Sequence, residues 1–97
     1  MKGKEEKVAV IIREKDRQWE GLRSSLGLLL ENHQVDMYVL NHEVEMTDEY
    51  KDNFEFLVDM EGGAFSNVKE NEKYGFKILS EDEIAKKLGE YTVIIPF

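Results

Sequence analysis

Cysteine is absent from these 97 residues. Disulfides, thiol nucleophiles, persulfide carriage and thiolate metal sites are therefore excluded. Histidine occurs only as His33 and His42, and proline only as Pro96. No apolar run approaches the roughly 20 residues that a membrane span needs, so no membrane partner is expected. The opening MKGKEEKVAV is charged and enters a strand-like stretch directly. A signal peptide is not expected there, and a cytoplasmic location is. The glycine-rich phosphate loop, the H-E-x-x-H zinc helix and the G-x-S-x-G elbow are all missing. A basic face is missing too: the net charge is −8 and the pI lies near 4.7. Nucleic-acid binders carry such a face, so no nucleic-acid partner is expected. Nothing in the sequence calls for a cofactor or a metal.

What is present suits one folded unit spanning residues 1–97, with residues 1–6 as a flexible lead. Hydrophobic residues make up 41% and charged residues 35%, enough for one core. The acidity is concentrated. From Glu43 to Glu61 there are eight acids against Lys51 alone, so that segment carries −7 and the rest of the chain is nearly neutral. Such a segment serves as a solvated helix face or as a docking surface for a basic protein partner.

KVAVII, followed by Arg13, reads as a strand covered on both faces, because its apolar residues do not alternate with polar ones. Asp16 is placed to cap the next helix. On that helix Trp19, Leu22, Leu26, Leu29, Leu30 and His33 recur at three- and four-residue steps. Gly21, Ser24, Ser25 and Gly27 add small side chains, which suggests close packing against the sheet or another subunit. VDMYVL (35–40) reads as a second strand. Thr47 caps a helix with Tyr50, Phe54, Leu57 and Val58 on its apolar face and Phe56 off it, as if in an interface. Residues 63–67 form a short third strand, 68–74 a helical turn or loop, and 76–79 a fourth strand. Ser80 and Glu83 form a capping box for a short helix. Ile84, Ala85 and Leu88 line that helix, and Gly89 stops it. Residues 92–95 are the last strand. The alternation predicts an α/β fold: a three-layer α/β/α sandwich on a mainly parallel sheet of about five strands.

The stretches GLRSSLGLLLENHQVDMYVLN and YGFKILSEDEIAKKLGEYTVIIPF resemble the DsrE/DsrF family of small sulfur-relay proteins. The resemblance covers most of the chain from Val8 on, and the middle matches poorly. It implies an α/β sandwich that assembles into oligomers, hence a homo-oligomer here. It also implies a site near the end of the third strand, where several members keep a persulfide-bearing cysteine. In this chain that place falls at Ser66 and Asn67, which cannot carry sulfane sulfur. The expected role is therefore a non-catalytic binding, scaffolding or regulatory subunit related to sulfur-relay proteins. Trp19, Gly21, Ser24 and Phe56 are the candidate interface residues.

The alternative is a small-ligand or anion-binding protein, or an enzyme, using the strand ends near Arg13, His42 and Ser66. Arg13 and Arg17 follow the first strand, where an open α/β sheet holds anions. His42, Glu43 and Glu45 offer nitrogen and oxygen donors without a metal-binding motif. Ser66 lacks an evident base and orienting group, which favours a turn residue. Asn67 suits a turn or a ligand contact. A receiver-like signalling domain fits poorly, because the first strand does not end in an acidic cluster.

Overall fold

The computed structural model describes residues 5–97. Of the expected lead, residues 1–4 lie outside the described residues. Glu6 is tied down: its N–H donates to His33 Nδ1 at 3.1 Å, and its carboxylate accepts from Thr92 Oγ1 at 2.8 Å.

Five strands form one sheet: β1 (Lys7–Ile12), β2 (Gln34–Val39), β3 (Gly63–Ser66), β4 (Lys77–Ile78) and β5 (Val93–Pro96). All are parallel, in the order β4-β3-β2-β1-β5. The helices are α1 (Gln18–Leu30), α2 (Asp48–Asp59) and α3 (Glu81–Leu88), with 3-10 turns at Lys15–Arg17 and Lys69–Tyr74. The chain is an α/β sandwich, as the alternation of elements predicts.

Strand alternation divides the core in two. Val8, Val10 and Ile12 of β1 and Val35, Met37 and Val39 of β2 meet Leu22, Leu26 and Leu29 of α1 and Tyr50, Phe54 and Leu57 of α2. Gly21 fits this layer because a side chain there would strike Ile12. Its close approach is thus to the sheet of its own chain, and it is not available to a subunit interface. Gly27 has open space around it. The opposite face is thinner. Ala9, Ile11, Tyr38 and Leu40 are covered there by Leu79 and by Ile84 of α3, with Phe65, Leu88 and Tyr91 half-buried around them.

Local signals place most helix ends. Thr47 Oγ1 accepts from Tyr50 N at 3.1 Å, and the Ser80–Glu83 capping box is complete. Asp16 does not cap α1. It lies within the 3-10 turn, and Arg17 precedes α1 with no side-chain cap. Leu30 and Val58, expected on buried faces, are 64% and 49% exposed. The buried stripe is narrower than the sequence suggests, because each helix meets the sheet along one line. Ala85 is likewise exposed, and Ile84 is the buried residue of α3.

Candidate functional site

The carboxyl ends of β1, β2 and β3 converge beside α3. Asn41 turns the chain out of β2 with φ of 70°, a conformation asparagine tolerates better than most residues. Its N–H donates to Asn67 Oδ1 at 2.8 Å, and Asn67 Nδ2 donates to Asn41 Oδ1 at 2.9 Å. This reciprocal amide pair joins the ends of β2 and β3. The pair lines a cleft of about 250 Å³ together with Arg13, Leu40 and, from α3, Glu81, Ile84 and Leu88.

Ser66 is fully buried and does not line this cleft. Its hydroxyl accepts from Val68 N at 3.0 Å and from Asn71 Nδ2 at 2.9 Å. Asn71 is also fully buried. Its Nδ2 donates a second bond to His42 O at 3.0 Å, and its Oδ1 accepts from Val44 N at 2.8 Å. One side chain thus fixes the loop after β2 to the segment after β3. His42 Nδ1 donates to Leu40 O at 2.9 Å, leaving Nε2 as an acceptor; this atom is buried and lacks a hydrogen-bond partner among the described residues. No serine–histidine hydrogen bond occurs among the described residues, and Ser66 holds no nucleophile geometry.

The predicted site residues therefore separate. Arg13 and Asn67 share one cleft, joined by Asn41. Arg17 is paired with Glu20, lies 5.6 Å from the Phe97 ring centre, and lines another shallow cleft with Ser24. Trp19 packs half-buried against the α1–α2 core layer. Phe56 is 46% exposed on the outer side of α2. Glu43 accepts from Tyr74 Oη at 2.9 Å and lies 3.5 Å from Lys73 Nζ. The tyrosine hydrogen bond, helped by Lys73, holds its carboxyl below the usual range. Among the described residues no three His, Asp or Glu side chains cluster as metal ligands.

Two features escape sequence reasoning. Asn71 is one; its only trace is that it is the one neutral residue in the charged run KENEK. The other lies on the thin face. Tyr91 Oη donates to the Asp36 carboxylate, and Tyr38 Oη lies 2.7 Å from Tyr91 Oη. Burial raises both phenols above their ordinary pKa, and the bond to Asp36 pushes Tyr91 further. An aspartate inside the apolar strand VDMYVL is the signal that a partner is needed.

Chemically, the cleft offers one guanidinium and polar amides. Glu81 lines it together with Arg13, and Asp82 and Glu83 share the first turn of α3 with Glu81. The start of that helix is therefore already negative and offers little to an anion. The residues define a small open-sheet α/β protein with a cleft of mixed polar and apolar lining at its strand ends. Comparison with known proteins finds no matching family model, curated protein or solved structure. Among the described residues no helix is long and apolar enough to cross a membrane.

Proposed function

We propose that this chain is a small cytoplasmic DsrE/DsrF-like subunit that binds and scaffolds rather than catalyses, and that works as a homo-oligomer. One observation carries the reading. At the place where the resemblance puts a sulfur-bearing cysteine, Ser66 and Asn67 spend their side chains on internal hydrogen bonds. The site is kept as architecture. The exposed Phe56 supports an assembly surface on α2, and the acidic segment 43–61 supports docking of a basic protein.

Light scattering after size exclusion tests the assembly. The expected mass is a multiple of 11.3 kDa. A monomer that persists at high concentration sinks it.

A second reading rests on Arg13, whose guanidinium in the cleft it shares with Asn67 would have to hold a small carboxylate or sulfonate against the negative start of α3. A thermal-shift screen with such anions is expected to raise Tm only in a protein that keeps Arg13. No shift for any anion, or an equal shift in Arg13→Ala, removes that reading.

A further inference from the structure

A groove of about 550 Å³ runs along α2, between that helix and the 3-10 turn at Lys69–Tyr74. Met46, Phe54, Val58 and Tyr74 give it an apolar lining. Val58 is 49% exposed, an unusual cost for a helix whose other exposed positions are mostly charged. Asp48, Glu55 and Asp59 also line it, at positions i, i+7 and i+11 of α2. At 100° per residue these three fall on one side of the helix, as a stripe about 16 Å long. Two lysines line the groove as well. Lys73 lies 3.5 Å from the Glu43 carboxylate, which offsets its charge, so Lys51 stands against three carboxylates.

The walls are preformed. Thr47 caps the start of α2, Glu43 holds Tyr74 through its hydroxyl, and Phe54 stacks on Phe76 at 4.8 Å between ring centres. A preformed groove loses less entropy on binding than one that must order.

The charge decides the occupant. A second copy of this chain brings −8 overall, and outside segment 43–61 its thirteen acids still outnumber its twelve bases, so it brings no net positive charge to the groove. Like charges brought together across an interface oppose association. We infer that this groove docks a basic amphipathic segment of a different protein. Lys or Arg side chains reach the Asp48–Glu55–Asp59 stripe, and an apolar side chain enters between Val58, Phe54 and Tyr74. A helix laid in a groove presents one face through residues at i, i+3, i+4 and i+7. The inference rests on the docking role proposed above and gives that role its surface and the chemistry of its partner.

The test uses a fluorescein-labelled synthetic helix of fourteen residues, with lysines at i, i+4, i+7 and i+11 and a leucine on the same side. A twin peptide has glutamate for every lysine. Anisotropy is read with the whole chain and three variants: Glu55→Lys/Asp59→Lys in the groove, Glu14→Lys/Glu31→Lys away from it, and Val58→Glu. The two double variants change net charge equally. The native chain is expected to bind the lysine helix and not its twin, and more weakly as salt rises. The groove double variant is expected to weaken binding about tenfold or more, and the distant one about threefold or less. Val58→Glu separates the alternatives by sign. It adds negative charge, so bulk attraction predicts tighter binding, whereas loss of the apolar lining predicts weaker binding. Tighter or unchanged binding by Val58→Glu, equal losses in the two double variants, or no binding of the lysine helix at low salt overturns the inference. Circular dichroism melts confirm that each variant is folded. Light scattering on the same samples reads the oligomeric state, so a monomer that still binds the helix fails the assembly reading alone.

Discussion

Asn71 Nδ2 donates to Ser66 Oγ across 2.9 Å, and both side chains are fully buried. The same amide group holds His42 O and Val44 N, so one side chain satisfies groups from two separate strand-end segments. Replacing Asn71 with alanine leaves Val44 N without its acceptor in a buried site. The expected loss is about 2–4 kcal/mol, which lowers Tm by roughly 10 °C or more in a domain of this size. Differential scanning calorimetry checks it. A drop of only a degree or two would show that the amide is not what joins the two segments.

Burial of Ser66 has a direct chemical readout. In a Ser66→Cys variant the thiol sits where no reagent reaches, whereas Asn67→Cys places it on half-exposed ground beside the cleft. Asn67→Cys is expected to react promptly with a thiol reagent in the native protein. Ser66→Cys is expected to react only as the chain unfolds. Prompt labelling of Ser66→Cys without loss of structure contradicts the closed site.

Gly63 lies under the Asp36 carboxylate, and a methyl group there would strike Asp36 Oδ1 and crowd the Phe65 ring. Gly63→Ala is expected to destabilise by about 1–3 kcal/mol. Asp36→Ala, which also removes the Tyr91 hydrogen bond, is expected to relieve much of that clash. The double variant should therefore lose less than the sum of the two single ones. Strict additivity in urea unfolding would rule out the contact as the cause.

Alkaline stability follows from three phenols. Burial raises the pKa of Tyr38, Tyr50 and Tyr91 above the ordinary phenol value of about 10. Their folded forms stay neutral where the unfolded chain ionises. Their contribution is whole below pH 10 and is lost as pH rises past it. Ultraviolet titration is expected to show these three phenols ionising only together with unfolding. Reversible ionisation of all four tyrosines near pH 10 in a folded protein would contradict it.

At the acid end the sign reverses. Glu83 is held below its ordinary value of 4.5 chiefly by the hydrogen bond it accepts from Ser80 N, and Glu43 chiefly by the one from Tyr74. Their contributions stand above pH 4.5 and fade as pH falls through the lowered values. Carboxyl chemical shifts followed by NMR should place both midpoints under 4.5. Frayed amides at the start of α3 should appear in the same range. A Glu83 midpoint at or above 4.5 would mean that the capping box does not form in solution.

The local parts of the fold were legible where chemistry acts over a few residues. KVAVII lacks alternation because both its faces are covered. Thr47 and Ser80 announce helix starts because their oxygens accept from N–H groups three positions on. Asp16 misled, because a 3-10 turn intervenes before α1 and removes the geometry a cap needs. At the candidate site, the strand-end positions of Arg13 and Asn67 point to a shared cleft, which they line, whereas Arg17, His42 and Ser66 do not line it. Position at a strand end was readable; the direction in which each side chain turns was not.

By itself the sequence determined the class of fold, the capped helices, the concentration of negative charge and the impossibility of sulfur carriage. These follow from composition, period and neighbours a few positions apart. Only the tertiary structure decided that Asn71 binds the loop after β2, that Tyr91 reaches Asp36 across 55 positions, and that Val58 opens onto a groove instead of the core. Such contacts depend on how strands are ordered and how far each helix rolls on the sheet. Those choices minimise the free energy of the whole chain, and no short stretch of it encodes them.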